Sequence, residues 1–396
     1  MHIPSERVSA EMRSEQASLW IVPANEGTEI AVLLKAPTPS LKAIISGCKI
    51  DILIGLKETV LCSGVHIYDV PDSPLLISGV QRHQEEHTAL SRLLTERSST
   101  FFLFNEMDIC VGWSSFSIDS KSSQDFESLI IDIDRLYTGP FDKKASQILD
   151  CFCFTLDKSV TYKNTTAIPV ESAEPEFEQW HSTNNTFIRS NESQSIKLSD
   201  EDEGEIFERL IWASLVSVFP FALYKSPIVE IGEGQRELTD ILAFHEYGSL
   251  LIEAKDMSIL GAGFDRTLER RGKGVQKQVK KAIKQLVGSS KALSRGEKVF
   301  DTQGNEIKPE RAQPAHCIVL VTELDHSGDW SDVYIEKIKA AKETKNFFHV
   351  LDLQEFIMIL KGSSGRPEVV EYHLIERFKL FTSNGSINIR SPHAPS

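Results

Sequence analysis

The chain has 396 residues with 41% hydrophobic and 25% charged side chains, which is ordinary for a globular protein and leaves room for two domains with separate cores. Its formal net charge of -14 excludes a protein that coats nucleic acid with its whole surface, because affinity for the phosphate backbone comes from cationic side chains. The six cysteines are scattered without zinc-site spacing, which predicts reduced thiols. The sequence shows neither an apolar leader nor an apolar run of membrane-spanning length, so we expect no membrane partner and a cytoplasmic location.

The amino-terminal part of the chain alternates short apolar runs with Gly, Pro and Ser, a pattern that predicts strands. The predicted strands cover residues 19–22, 30–34, 50–54 and 75–80. Apolar residues at intervals of three and four predict helices at 83–96, 125–136 and 141–156. We therefore expect residues 18–159 to form an α+β, strand-rich domain that selects a target or binds a partner.

A polar tract rich in Asn, Thr, Ser and Glu follows at residues 160–202 and predicts a linker. The next domain, at residues 203–382, opens with a helix, because Ser199 and Asp202 provide a cap region and the apolar residues from Ile206 to Leu215 share one face. That helix is expected to end before Pro220.

Extended segments are then predicted at residues 227–231, 237–245 and 249–254, followed by a long basic helix at 265–293 and a strand at 317–321. Later elements are a helix at 332–342, a strand at 347–351 and helices at 353–360 and 368–380. The order helix, three strands, helix, strand predicts an α/β domain with a mixed sheet flanked by helices.

Two acids and a lysine lie at the edges of two neighbouring predicted strands that a short turn connects. Asp240 precedes the run 241–245, whereas Glu253 and Lys255 lie in the next strand on one face, with Ala254 on the other. Mg²⁺ prefers oxygen ligands and is commonly held by one or two carboxylates plus a phosphate. We therefore predict a Mg²⁺ site, in which Mn²⁺ can substitute, formed by Asp240, Glu253 and the carbonyl of Ala254. Lys255 would position the attacking water or stabilise charge on a phosphate.

These residues resemble the PD-(D/E)XK nuclease superfamily, with its restriction-endonuclease-like fold, and within it the Mrr-like branch, over about residues 204–323. Thr239 stands where the family name has Pro, which leaves the metal ligand intact. The resemblance implies a Mg²⁺-dependent phosphodiesterase, most simply a DNA endonuclease in restriction, defence or repair, with DNA favoured over RNA.

The resemblance also implies two assisting residues. A glutamate on the preceding helix often joins the site, and the sequence from Gly204 to Glu208 matches its G-x-x-F-E form, with Glu208 as the candidate and Glu205 as the alternative. A glutamine on the following helix often reaches the lysine and the phosphates, which points to Gln278, or else to Gln276.

The predicted basic helix supports a polyanionic partner. Eleven Lys and Arg residues face only three acids between positions 265 and 298. Such a cluster attracts nucleic acid toward the acids. The residues expected to bind nucleic acid are Arg270, Arg271, Lys273, Lys277, Lys280 and Lys281.

Two other interpretations stay open at the level of sequence. The acids and the basic helix are also compatible with a solvated surface held by ion pairs, or with a catalytically idle nuclease-like protein that only binds nucleic acid. The amino-terminal domain could instead make the chain chiefly an interaction protein, through a protein partner or a homo-oligomer.

Overall fold

The chain is described here from a computed structural model, a mixed α/β protein with several sheets. The structure describes residues 3–70, 73–130, 132–157, 165–189, 192–200, 202–256, 268–324, 329–385 and 389, with only the backbone for 268–272. It divides into two compact units. Unit 1 holds residues 1–184 and 197–199, and unit 2 holds residues 185–196 and 200–396.

The described residues form ten α-helices, which are α1 Glu6–Ser14, α2 Thr38–Ile45, α3 Gln84–Glu96, α4 Ser120–Leu129, α5 Lys143–Leu156, α6 Glu203–Leu215, α7 Leu268–Ser294, α8 Ser331–Thr344, α9 Leu353–Ser363 and α10 Pro367–Asn384. The strands of unit 1 are β1 Ser18–Ala24, β2 Glu29–Lys35, β3 Ile50–Lys57, β4 Val60–Ile67, β5 Leu75–Gln81, β6 Ser98–Phe104, β7 Cys110–Ser117, β8 Val170–Ala173, β9 Glu176–Phe177 and β10 His181–Ser182. Those of unit 2 are β11 Asn185–Arg189, β12 Glu192–Ile196, β13 Leu223–Lys225, β14 Ile228–Ile231, β15 Gly234–Glu237, β16 Ile241–His245, β17 Gly248–Lys255, β18 Val299–Phe300, β19 Glu306–Ile307, β20 His316–Val321 and β21 Phe347–Asp352.

Unit 1 contains two sheets, one ordered β1-β2-β6-β7-β10 with β9 also on β7, and one ordered β5-β4-β3-β8. The helix α1 covers the first sheet, since Val8 and Met12 pack in one core with Trp20 and Leu33. The helix α5 covers the second sheet through Phe152. A Cβ atom on Gly55 would lie only 2.5 Å from the Phe152 ring, so this close approach requires a glycine.

Unit 2 is built on a five-stranded mixed sheet ordered β13-β16-β17-β20-β21. The strand β16 runs antiparallel to both β13 and β17, whereas β17, β20 and β21 run parallel to one another. One face of the sheet packs on α7 and α8, where Val279 and Leu286 share a core with Leu251 and Val319. The other face packs on α6 and α9. Two layers of helix therefore enclose the sheet, and the alternation of side chains in β17 assigns Glu253 and Lys255 to the α7 side.

The segment predicted as a polar linker is not a linker where the structure describes it. It contains β8 to β12, and β8 pairs with β3 in unit 1, whereas the hairpin of β11 and β12 belongs to unit 2. The guanidinium of Arg189 ties that hairpin to unit 2, because it donates to the carbonyls of Pro220 and Leu223. The polar composition of these segments concealed the strands. In β11 and β12, every second side chain is exposed and the side chains between them are mostly only partly covered, so the sequence shows no apolar alternation.

Three further boundaries differ from the sequence-based prediction. The helix expected at 125–136 is α4, which ends at Leu129 and is followed by a separate 3₁₀ turn at Ile133–Arg135. The strand expected at 227–231 exists as β14 but pairs with β15 and β18 in a separate sheet, and the short β13 takes the place beside β16. The segment expected at 237–245 is divided between β15 and β16.

The six cysteines are free thiols, and four of them are buried. Among the helices that the structure describes, none combines the length and the apolar character needed to cross a membrane.

Candidate metal and phosphodiester site

A tight antiparallel hairpin brings the predicted acids together at one end of the central sheet. Its strands β16 and β17 pair Ile241 with Ile252 and His245 with Gly248, so Asp240 lies at the level of Glu253. Two hydrogen bonds fix this end: Thr239 Oγ1 donates to the Ile252 carbonyl at 2.7 Å, and the Ala254 N–H donates to Asp240 Oδ2 at 2.6 Å. The strand register therefore determines the position of the Asp240 carboxylate.

The ammonium of Lys255 joins the two carboxylates. Its Nζ atom lies 3.0 Å from Glu253 Oε2 and 3.6 Å from Asp240 Oδ2. Glu253 and Lys255 thus share one face of β17, as the alternation of strand side chains predicts. The predicted convergence of Asp240, Glu253 and Lys255 is present in the structure.

The environment of these side chains perturbs their protonation. Burial, together with the neighbouring Asp240 carboxylate, raises the pKa of Glu253 to about 7, against the opposing effect of Lys255. Burial lowers the pKa of Lys255, but the two carboxylates outweigh burial and the net pKa is raised. Lys255 is therefore a charged group at neutral pH, suited to stabilising a negative charge rather than to accepting a proton.

The donor set at this end of the sheet fits a hard divalent cation. Two carboxylates converge on a single positive charge, and Glu253 is only 3% exposed, so its anionic form needs a nearby cation. The backbone of Ala254 lies beside Asp240 through its N–H group, and its carbonyl remains the predicted third ligand. Among the described residues, Glu208, Asp240 and Glu253 do not have carboxylate oxygens that all lie within 4.8 Å of one another.

Glu208 lies on α6 and is held by a lysine that the sequence did not single out. The Lys225 ammonium is 3.1 Å from Glu208 Oε2 and 2.8 Å from Glu205 Oε2. Burial raises the pKa of Glu208, Lys225 lowers it, and Asp240 and Glu205 raise it further. Through this effect of Asp240 on its pKa, Glu208 is linked electrostatically to the site. Lys225 follows no recognisable motif and lies in a three-residue strand, so the sequence offered no means of finding it.

The predicted contact of Gln278 with Lys255 is absent. Gln278 is exposed and lines a groove between α7 and α8, whereas Lys255 bonds to Glu253 and Asp240. The alternative, Gln276, donates to the Asp329 carbonyl at 3.0 Å. The buried face of α7 carries Val275 and Val279, and each residue advances about 100° around a helix, so Gln278 lies at the edge of that face, where its side chain is exposed.

The groove between α7 and α8 has a volume of about 710 Å³ and a mostly cationic lining. Its lysines are Lys277, Lys280, Lys281 and Lys284 from α7 and Lys339 from α8. Lys339 was not predicted, although the spacing of lysines in α8 would have allowed it. Lys273 is exposed near the start of α7, and the side chains of Arg270 and Arg271 lie outside the described residues.

Acids on α8 neutralise part of the basic helix. Lys280 pairs with Asp332 at 3.1 Å, Lys284 approaches Glu336 at 3.9 Å, and Lys291 pairs with Glu343. These pairs succeed one another along the two helices, which pack on each other through apolar residues such as Val279 and Val333. The ion-pair interpretation therefore applies to part of this surface, and Lys277, Lys281 and Lys339 carry its remaining positive charge.

Unit 1 contains a second group with metal-ligand chemistry, formed by Glu11, His83 and Glu86. Two guanidinium groups already neutralise it, since Arg82 Nη2 lies 2.6 Å from Glu11 Oε1 and Arg7 Nη1 lies 2.9 Å from Glu86 Oε1. Glu86 also accepts the backbone N–H groups at the start of α3. This arrangement favours a structural ion-pair network that joins α1 to α3 over a cation site.

Comparison with family models, with curated proteins and with solved structures gave no match.

Proposed function

We propose that this chain is a metal-dependent nuclease that hydrolyses phosphodiester bonds, with DNA favoured as the substrate. One observation carries the proposal: the carboxylates of Asp240 and Glu253 and the ammonium of Lys255 meet at the end of two paired strands. Hard oxygen donors beside a fixed cation are the groups that phosphodiester hydrolysis requires. The likeness to the PD-(D/E)XK nucleases, including their restriction-endonuclease-like fold, belongs to this proposal.

The element order supports the same proposal. The helix α6 precedes β13, β16 and β17, and α7 connects β17 to the parallel strand β20. The acids and the lysine lie on β17 and at the start of β16, at the same end of the sheet. This is the order of elements that the resemblance implies for a nuclease domain.

Each side chain has a distinct task in the proposed reaction. Asp240 and Glu253 bind Mg²⁺ or Mn²⁺, with the Ala254 carbonyl as a further ligand. The bound ion would lower the pKa of a water molecule and offset the negative charge that develops on the phosphate. Lys255 remains protonated and donates a hydrogen bond to the phosphate or to the attacking water. Glu208 stays beside Asp240 and orients water.

The groove between α7 and α8 would bind the substrate backbone. Lys277, Lys281 and Lys339 present cationic ends to solvent there. Contacts to phosphates position a nucleic acid but do not read its sequence, so this surface is expected to bind without strong sequence preference. DNA is favoured over RNA by the family resemblance alone.

A cleavage panel tests the proposal. The wild-type chain is incubated with supercoiled plasmid, linear duplex, single-stranded DNA and RNA in Mg²⁺, in Mn²⁺ and in EDTA. We expect cutting of at least one DNA substrate that requires metal and is lost in Asp240→Asn, a nearly isosteric change that removes one charge. Cutting that Asp240→Asn retains, or binding of DNA without any metal-dependent cutting, would contradict the nuclease and favour a catalytically idle protein.

A further inference from the structure

The residues Leu238, Thr239 and Asp240 form an irregular bend that carries the first of the predicted metal ligands. They follow β15 and precede β16, and they belong to neither strand. The bend is anchored at its start, where the Leu238 N–H donates to the Pro227 carbonyl at 2.8 Å. It is anchored at its end as well, where the Asp240 carbonyl accepts the N–H of Ser226 at 2.8 Å. These bonds fix the two ends and leave the middle of the bend to side chains.

Two buried hydroxyl groups fix the middle of the bend. Thr239 Oγ1 donates to the Ile252 carbonyl of β17 at 2.7 Å, and Ser289 Oγ of α7 donates to the Leu238 carbonyl. Both hydroxyl-bearing side chains are at most 1% exposed, so these two bonds are shielded from water. Such a bond is costly to lose, because its buried acceptor is left unsatisfied. The bend is thus attached both to β17 and to α7.

The bend places the Asp240 carboxylate on the same face of the sheet as Glu253. The register that pairs Ile241 with Ile252 continues to Asp240 and Glu253, and directly opposite residues project from one face of a sheet. Lys255 lies on that face too, with its Nζ atom 3.6 Å from Asp240 Oδ2 and 3.0 Å from Glu253 Oε2. The position of one of the two proposed metal ligands therefore depends on the bend.

The rigidity of a ligand decides which divalent ion a site prefers. Mg²⁺ requires near-ideal octahedral geometry at about 2.0–2.1 Å, whereas Ca²⁺ takes more oxygen ligands at longer and more variable distances. Displacement of a carboxylate therefore weakens the binding of Mg²⁺ more than the binding of Ca²⁺. The Asp240 carboxylate has little freedom to move, because its backbone lies in the anchored bend and its Oδ2 atom accepts the Ala254 N–H at 2.6 Å.

We propose that Thr239 and Ser289 are positioning residues that fix Asp240 through the bend and so make the site prefer Mg²⁺ or Mn²⁺ to Ca²⁺. This inference rests on the proposed function, because it takes Asp240 and Glu253 as the ligands of the ion. It extends that proposal to two residues whose hydroxyl groups bond to backbone carbonyls, and it adds a selectivity for the size of the ion.

Removal of the Thr239 hydroxyl tests the inference. In Thr239→Val the Ile252 carbonyl loses this donor, while the side chain keeps nearly the same shape. Titration calorimetry on the full-length chain measures the affinities for Mg²⁺, Mn²⁺ and Ca²⁺. We expect the affinities for Mg²⁺ and Mn²⁺ to fall about tenfold or more, and the affinity for Ca²⁺ to fall about threefold or less. Ser289→Ala should change the ratio in the same direction, and Thr239→Ser, which keeps the hydroxyl, should retain the wild-type preference.

The matched control is Ser249→Ala, in the same hairpin. Ser249 is also 1% exposed, and its Oγ atom donates to the Glu310 carbonyl at 2.7 Å, at the other end of β17. The control removes a comparable buried hydrogen bond without touching the bend. It should lower the free energy of unfolding in urea and keep the wild-type preference for Mg²⁺ over Ca²⁺. A purely structural role for Thr239 would give Thr239→Val and Ser249→Ala the same ratio of ion affinities.

The outcomes separate this inference from the proposed function. An unchanged ratio of Mg²⁺ to Ca²⁺ affinity in the folded Thr239→Val and Ser289→Ala variants, or a wild type that binds Ca²⁺ as tightly as Mg²⁺, would overturn the inference and leave the nuclease proposal standing. A wild type that shows the expected preference but cuts no nucleic acid would overturn the nuclease and leave the inference. Failure of the wild type to bind Mg²⁺ or Mn²⁺ would overturn both. Circular dichroism establishes that each variant is folded, and Ser289→Ala carries the test if Thr239→Val does not fold.

Discussion

The burial and the raised pKa of Glu253 bear directly on the proposed binding of metal. Its carboxylate is buried between Asp240 and Lys255, and its pKa is raised to about 7. A buried carboxylate without a matched cation is unfavourable, so a divalent ion would replace part of the hydration that Glu253 has lost. The same residue thus links the packing of β17 to the proposed binding of metal.

Replacement of Lys255 should separate catalysis from metal binding. In Lys255→Met we expect the cleavage rate to fall by about 10²-fold or more, because a charged donor to the reacting phosphate is lost. Mn²⁺ binding should persist, because the removed ammonium bonds to the same carboxylates that bind the ion. Single-turnover cleavage and calorimetry measure the two effects, with Lys308→Met as the exposed control. A rate within about threefold of wild type would contradict the assignment.

Sequence reasoning placed Asp240, Glu253 and Lys255 correctly because a short turn between two strands fixes their register. It missed Lys225, whose role depends on a three-residue strand that pairs only through the tertiary fold. Gln278 is exposed in the groove between α7 and α8 and makes no contact with Lys255, whereas its expected role toward a phosphate stays a prediction.

At the scale of elements, the pairing of α7 with α8 gives the basic helix two functions. Lys280 and Lys291 form ion pairs with acids on α8, and Lys284 approaches Glu336 at 3.9 Å. Lys277 and Lys281 are exposed and line the groove between the helices. The two sets of lysines lie on neighbouring stripes along one side of α7, and Lys280 and Lys284 also line the groove. Substitutions at Lys277 and Lys281 leave the ion pairs with α8 in place and test binding separately.

Charge reversal in the groove should weaken binding of nucleic acid. For Lys277→Glu/Lys281→Glu we expect affinity for duplex DNA, measured by fluorescence anisotropy with Ca²⁺, to fall about tenfold or more at 0.1 M salt. The slope of log affinity against log salt should also become shallower by about 2, since two phosphate contacts are lost. The matched control, Lys308→Glu/Lys345→Glu, makes the same change of charge on exposed lysines outside the groove. Equal losses in both variants would show a general charge effect and contradict a specific groove.

The elements of the second domain were largely predictable because their apolar periods are long and regular. The basic helix, expected at 265–293, is α7 at Leu268–Ser294, and the strand expected at 317–321 is β20 at His316–Val321. The elements that escaped prediction are short or polar. The strands β11 and β12 form a polar hairpin with each other, whereas β8, β9 and β10 pair with strands distant in sequence. Local sequence contains no information about such partners.

At the scale of the whole molecule, each unit has its own cores, and the buried side chains of unit 2 include ionisable ones. His316 and His349 lie fully buried on neighbouring strands, with His316 Nδ1 3.1 Å from His349 Nε2. Burial lowers the pKa of His316 to about 3 and holds the pKa of His349 well below its ordinary value. Both rings are therefore neutral in the folded protein at neutral pH.

Acidification should unfold unit 2 through these histidines. The unfolded chain binds protons at a pKa of about 6.5, while the folded protein resists protonation down to about 3, so the free energy of unfolding falls as pH decreases between these values. The expected slope is at most about 1.4 kcal/mol per pH unit for each histidine. Urea unfolding at pH 7, 6, 5 and 4 measures it. His316→Leu/His349→Leu should show a smaller loss across this range, and parallel curves for the two proteins would contradict the account.

The central claim is that Asp240 and Glu253 hold a divalent metal ion. The most direct measurement is anomalous diffraction near the manganese absorption edge from crystals of the full-length chain grown with Mn²⁺. We predict a peak within bonding distance of both carboxylates, which is lost in Asp240→Asn crystals. A peak at Glu11, His83 and Glu86 instead, or no peak beside Asp240 and Glu253 at saturating Mn²⁺, would contradict the account.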